Sequence, residues 1–416
     1  MDFKQKIIGV LRWSQKYTQT DMVYLAVGGF WLTLWQFFYS LSTLLLSIVF
    51  ANLLAKETYG SYCYIISIAG ILAAPTLFGM NTAVVRAIAK GYEGSLLPAL
   101  KARLRWGVLG SAASLAIAGY YYFISNNITL AVCFLVVATF ISMMDSFTVY
   151  QGFWNGKKLF GIQVKYNIII QVLTVAAIIT TLLLTKNLFL IILSYFASYT
   201  FFRFVFLQIT LRKISPGSKA DPGAISYGKH LSLMGAVGII ADYLDRIIIW
   251  HQLGAVSVAV YFFAVSLPQE IEGILKNIGS LALPKFSKYA KEELKSILPS
   301  KVLRLVLSTA CLAAIYILLA PFLYRILFPR YLDSVLYSQV FSFSLVLIAG
   351  TQLLSVSLTA QGKKRELYIA RSVPSAIEII LFLILIPLFG IWGAIAATLV
   401  TEFIRLGLYL SLIVKL

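Results

Sequence analysis

The sequence is short of charge, and shortest of acid. Only 12% of its 416 residues are charged, with 16 Asp and Glu against 35 Lys and Arg. A soluble domain carries roughly 25% charged residues. With 60% hydrophobic residues and a mean hydropathy of +0.87, the chain excludes a water-soluble globular fold and reads as a polytopic membrane protein. No polar stretch is long enough to fold as a separate soluble domain. Only two histidines occur, His230 and His251, which leaves little for histidine-based chemistry within the membrane. The three cysteines, Cys63, Cys133 and Cys311, lie far apart inside apolar runs, so neither a disulfide framework nor a metal-ligand spacing follows. No stretch resembles an ATP-binding P-loop, and no cofactor is implied. The basic N-terminus is not followed by a short apolar core and cleavage site, so it does not read as a signal peptide.

The net charge of +19 invites a nucleic-acid partner, but the basic residues are dealt out between apolar runs rather than gathered on one patch. Cytoplasmic loops of membrane proteins collect Lys and Arg. A spanning helix needs about 20 mainly apolar residues. On that measure the chain holds twelve helices, near 23–52, 59–81, 104–124, 128–152, 160–184, 188–208, 229–252, 257–281, 303–324, 335–358, 367–389 and 391–414. The alternation places 29 Lys and Arg on the side that holds both termini and four on the other, Lys56, Lys186, Arg325 and Arg330. Arg203 and Arg246 stay within helices. The asymmetry predicts cytoplasmic termini. Connections on the lysine-poor side are very short, leaving no room there for a catalytic domain. Asn127-Ile128-Thr129 in one of them fits a glycosylation sequon. On the lysine-rich side, 282–302 has the spaced apolar pattern of an amphipathic surface helix.

The chain repeats itself. Leu54 to Tyr62 and Leu253 to Tyr261 share a Leu-to-Tyr spacing at an offset of 199, and Gly156-Lys157-Lys158 matches Gly362-Lys363-Lys364 at an offset of 206. The fold class expected is therefore all-α: twelve transmembrane helices in two parallel six-helix repeats around a central cavity. The boundaries are a cytoplasmic segment 1–22, a bundle 23–208, a linker 209–228 and a second bundle 229–416. Transporters built from repeats hold substrate between the halves, near the midplane.

The seventh span, His230 to Trp250, carries Asp242, Asp245 and Arg246 inside an apolar run. Positions three and four apart share a helix face, so these form one charged patch. A charge at bilayer depth costs about 2.5–3.5 kcal/mol on insertion scales, so the patch faces protein or water. It is either an internal ion pair that locks two helices, or a working site. In the first span Trp31, Trp35 and Tyr39 share one face, with Gln36 beside them; Trp31 fits an interfacial aromatic belt. Other intramembrane acids are Asp145, Glu270, Glu272, Glu378 and Glu402. Glu270 and Glu272 follow Pro268, an expected kink, and Glu402 stands three residues from Arg405.

The run LLSIVFANLLAKETYGSYCYIISIAGILAAPTLFGMNTAVVRAIAKG resembles the opening of the polysaccharide-biosynthesis or O-antigen flippase family. Glu57, Tyr59, Gly60, Gly79 and Arg86 occupy that family's places. Asp245-Arg246, Leu253-Gly254, Tyr261, Leu283-Pro284-Lys285 and Ile386-Pro387 with Gly390-Ile391-Trp392-Gly393 continue the likeness. The family belongs to a superfamily with multidrug and peptidoglycan-precursor exporters. The resemblance implies two six-helix bundles with alternating access, and translocation of a polyprenyl-pyrophosphate-linked oligosaccharide for surface polysaccharide such as lipopolysaccharide. It implies a transporter rather than an enzyme, in the inner (plasma) membrane, beside membrane lipids and the polymerase and glycosyltransferases of the pathway. Substrate residues expected are Arg246, Asp245, Arg203, Arg86, Lys276, Trp35, Gln36 and Tyr39. Ion-coupling candidates are Asp242, Asp145, Glu270, Glu378 and Glu402. An organic-cation antiporter of the same superfamily is the alternative, since the interior acids outnumber the bases.

Overall fold

The structure, a computed structural model, describes residues 22–215, 218–286, 291–361 and 364–414. Every regular element among them is helical: α1 (Met22–Leu53), α2 (Lys56–Leu72), α3 (Met80–Ala89), α4 (Leu96–Phe123), α5 (Ile128–Ser146), α6 (Tyr150–Gly156), α7 (Phe160–Leu184), α8 (Leu188–Leu211), α9 (Ala224–Phe286), α10 (Lys291–Leu327), α11 (Val335–Phe341), α12 (Phe343–Ala360), α13 (Lys364–Phe389) and α14 (Ile391–Val414). The expected N-terminal segment lies almost wholly outside the described residues.

These helices resolve into the twelve expected spans. Nine satisfy length and hydropathy outright, and the pair α2 and α3, bent by 41°, makes a tenth. Helix α9 counts twice. Its 63 residues are interrupted at Gly254, with φ 80° and ψ 179°, a backbone setting that only glycine adopts without strain. Arg246 stands over the Phe262 ring at 5.6 Å, although sixteen helical residues would separate them by about 24 Å. The chain therefore folds back at Gly254 into two limbs. The twelfth span is α4, whose first three turns carry Lys101, Arg103 and Arg105. The backbone stays helical through Pro268, so the break in this region is at Gly254 and not at the expected proline. The expected surface segment 282–302 is divided: α10 begins at Lys291, and 287–290 lie outside the described residues.

The apolar core explains how the halves stand. One large cluster fills the lysine-poor end and draws on both halves, from Phe50, Tyr59 and Ile65 to Phe263, Phe328 and Ile386. Toward the other end it divides. Leu77, Val84, Tyr150 and Phe153 form one core, and Leu298, Leu354, Leu358 and Tyr409 another. Burial thus joins the halves in one shared core at one end; at the other each half keeps its own core, and the halves meet through the first limb of α9 against α3, where Gly79 N–H donates to Ser232 Oγ.

The seam at the joined end is tight and polar at its rim. Tyr59 stacks on Phe263 at 5.1 Å, and a Cβ on Gly60 would fall 1.8 Å from the Ala255 carbonyl oxygen. Around it Lys56 pairs with Asp333 at 2.7 Å, Asn52 donates to the Leu327 carbonyl, and Arg330 donates to the Leu54 carbonyl. The α1–α2 corner and the Gly254 corner meet here.

Candidate functional site

Between the halves, on the side of the joined core away from the lysine-poor end, α1, α5, α8 and α9 present polar side chains. On α8, Tyr195, Tyr199 and Arg203 follow at steps of four and share a face. Arg203 stacks on Tyr199 at 4.8 Å, donates to the Met144 carbonyl at 2.9 Å and stands 3.6 Å from the Asp145 carboxylate. Tyr199 in turn donates to Gln171 on α7 at 2.8 Å. Gln163, Asn167, Gln171 and Thr174 form a buried polar stripe along α7, with Asn167 accepting from Tyr150.

Arg246, on the first limb of α9, is held differently. Asp245 accepts from the Arg246 backbone N–H at 2.7 Å and is hydrogen-bonded to Tyr261. Its own carboxylate is buried. Among the described residues no ion pair includes Arg246 and its guanidinium donates to no protein acceptor; Nε is buried without a partner. Asp245 and Arg246 thus make no direct contact ion pair, while the two charges lie within electrostatic reach of each other. What holds the arginine is the Phe262 ring below it and the Asp245 field beside it. Tyr243 and Cys63 also face it.

Helix α1 closes this space opposite. Trp35 and Tyr39 lie 5.6 Å apart, ring to ring, and Tyr39 is 41% exposed. Tyr39 bonds Thr43 and lies in the field of both Glu270 and Arg203. Ser40 accepts from Gln36 and its hydroxyl is directed to the Glu270 carboxylate, joining α1 to the second limb of α9. Asp242 is exposed and shares the field of Tyr243.

The remaining acids belong to the second half. Arg405 pairs with Glu402 on its own helix and stands 3.7 Å from Glu378 on α13. Asp242 and Asp245 are within electrostatic reach of Glu378, so these two α9 acids and this trio form one group. Beside it opens a cleft of about 300 Å³ lined by Thr351, Gln352, Ser375, Glu402, Arg405 and others.

Of the other two expected substrate residues, the structure places one. Arg86 is exposed and stacks on Tyr227 at 4.8 Å, away from Arg203 and Arg246. The Lys276 side chain lies outside the described residues. Conversely, Arg103 reads as a loop residue in the sequence but is only 2% exposed within α4. It donates to the Thr76 carbonyl, Asn81 and Thr148, and so clasps the bend between α2 and α3 to the α5–α6 junction beside Asp145. Arg103 gave no signal apart from lying a few residues ahead of an apolar run. The Tyr195–Tyr199–Arg203 spacing was present in the sequence and unused.

The fold resembles solved transporters. The lipid II flippase MurJ in an inward closed conformation superposes with a TM-score of 0.70 at 15% identity, covering 92% of this chain and 87% of that one. An inward-facing multidrug resistance MATE family transporter of the MOP superfamily gives 0.68 at 16%, covering 90% and 94%. A MOP superfamily transporter from Pyrococcus furiosus, described by a binding pocket of reversed polarity, gives 0.63 at 13%, covering 94% and 95%. No curated protein matches the chain significantly. Residues 25–290 match the family described as polysaccharide biosynthesis protein, which is more than half of the sequence. A twelve-helix membrane protein with this fold and this match belongs to the polysaccharide biosynthesis protein family.

Proposed function

We propose that the protein flips a polyprenyl-pyrophosphate-linked oligosaccharide across the cytoplasmic membrane by alternating access. The observation that carries this is Arg246: a cation in the space between the halves whose donors are not spent on the protein. A pyrophosphate needs such donors, and the guanidinium fork matches phosphate oxygens in pairs. Arg203 supplies a second positive group, partly committed to Asp145. Trp35, Tyr39 and Gln36 offer the aromatic faces and amide that sugars use. The lipid tail stays in the bilayer. In this reading the halves are 23–208 and 229–416, the linker 209–228 and both termini are cytoplasmic, and the lysine-poor end faces outward.

Driving force comes from an ion. The carboxylates of Asp242, Asp145, Glu270, Glu378 and Glu402 sit between helices, where protonation or sodium binding changes with access. The test is reconstitution into vesicles with a lipid-linked oligosaccharide, scored by accessibility of the sugar to an external glycosidase. Wild type moves the sugar across and Arg246→Ala does not. Vesicles that leave the sugar where it started, yet expel cationic dyes, would overturn the reading. That outcome belongs to an organic-cation antiporter, which the group of Asp242, Asp245, Glu378 and Glu402 would serve.

A further inference from the structure

At the lysine-poor end a second cleft of about 300 Å³ lies away from the cavity between the halves. Glu57, Thr58, Asn127, Thr129, Lys186 and Trp250 are among the residues that line it. All but Trp250 come from the first half. Trp250 reaches in from the last turn before Gly254, so the cleft lies across the seam.

The ring is set rigidly. Tyr64 covers one side of Trp250 in parallel at 4.4 Å, with the Tyr121 hydroxyl close by. Tyr121 and Tyr64 share a hydrogen bond of 2.6 Å. Trp250 contributes its ring to the lining. The rim is polar. Among the described residues the Glu57 carboxylate and the Thr58 and Thr129 hydroxyls make no hydrogen bond to protein. Asn127 uses its side-chain oxygen to cap α5 through Leu130 N–H, which leaves its amide donors. Lys186 spends one donor on the Leu182 carbonyl. The residues of the sequon thus face this cleft.

A fixed aromatic surface surrounded by a carboxylate, an amide, hydroxyls and an ammonium is the chemistry of a carbohydrate site. C–H faces of a sugar cover the ring, and its hydroxyls take the rim. A phosphate is disfavoured by Glu57, and an apolar partner by the unspent polar groups. We propose that this cleft binds a short saccharide, the glycan end of the cargo once it has reached the lysine-poor side. The inference rests on the flippase reading above. Because Trp250 and Glu57 belong to different halves, a bound saccharide bridges the seam and holds this end closed until it leaves.

The probe is oligosaccharide released by mild acid from the host's own surface polysaccharide, free of lipid and pyrophosphate. It is titrated against the purified full chain, with saturation-transfer NMR and Trp fluorescence as readouts. Binding is expected, weakened about tenfold or more by Glu57→Gln with Thr129→Val, two exposed positions whose change leaves the core intact. Trp250→Phe, which keeps a ring, weakens it less than Trp250→Leu. Oligosaccharide binding that ignores all these variants, or no binding at millimolar concentration by a chain that flips lipid-linked glycan in vesicles, overturns the cleft alone. Failure of that flipping assay itself removes the underlying reading, and the cleft proposal with it.

Discussion

At the scale of single residues, the two deep arginines make different predictions. Arg203 is built into the protein by Met144, Tyr199 and Asp145. Removing one partner of an enclosed pair leaves the other charge uncompensated, at about 3–5 kcal/mol when fully buried. Arg203→Ala is therefore expected to lower thermal stability in detergent and to reduce the amount of folded protein. Arg246→Ala removes no hydrogen bond to protein but takes the cation from beside the buried Asp245 carboxylate, so it is expected to lower the melting temperature less than Arg203→Ala while transport falls at least tenfold. Arg246→Lys keeps the charge but loses the fork, and should recover only part of the activity. Equal loss of stability in both alanine variants would show that Arg246 is structural after all. A third residue ties the linker down. Glu93 accepts from Lys157 at 2.8 Å and from Ser215, and the Lys157 hydrogen bond holds its carboxyl below the usual carboxylate range. A depressed acid stabilises the folded chain above its unfolded value and loses that contribution as pH falls through the folded one. Limited proteolysis near residue 215 should therefore accelerate on acidification below about pH 4, and Glu93→Gln should show the accelerated rate at neutral pH.

At the scale of elements, what was legible depended on how far a signal reached along the chain. Twelve spans, the charge asymmetry and the paired corners were readable, because each is a local pattern that burial in lipid enforces. The Gly254 reversal appears in the sequence as one Leu-Gly pair, and its backbone setting is what turns α9 into two spans. Arg103 was misplaced because a charge ahead of an apolar run looks like loop, whereas the bend between α2 and α3 provides acceptors for it. The ring of Tyr227 beside Arg86 is visible only in the fold, since the two are far apart in sequence. The seam at the lysine-poor end was not legible at all, since Lys56 and Asp333 are 277 residues apart. This seam can be tested by charge exchange. Lys56→Asp should separate the α1–α2 corner from the 329–334 turn, read as a longer distance between spin labels on the two, and Lys56→Asp with Asp333→Lys should restore the short one. Gly60→Ala places a methyl group against backbone at Ala255. Backbone cannot rotate away as a side chain can, so this variant should hold the same end apart without any change in charge.

At the scale of the whole molecule, the placement of the core bears on the transport cycle. One apolar cluster spans both halves at the lysine-poor end, while each half keeps its own at the lysine-rich end. Opening toward the lysine-rich side leaves the shared cluster intact and has to part only the contact of the first limb of α9 with α2 and α3. Opening the other way requires breaking the shared cluster, including the Tyr59, Phe263, Phe328 and Tyr331 rings. Spontaneous opening at that end is therefore uphill, and the cycle needs an input that favours it. The interior charge distribution shows where such an input can act. Glu378 and Glu402 set two carboxyl groups beside the single Arg405 guanidinium, and Asp242 and Asp245 add to the field at Glu378. Like charges enclosed together raise the free energy of the state that gathers them, and a bound cation relieves it. We expect vesicle transport to require a proton or sodium gradient, and Glu378→Gln to uncouple it. The neutral side chain imitates the protonated acid, so the variant should exchange substrate across the membrane at equilibrium yet fail to concentrate it. Accumulation against a substrate gradient at the wild-type rate, with both ion gradients collapsed, would show that the acids serve stability or substrate binding instead.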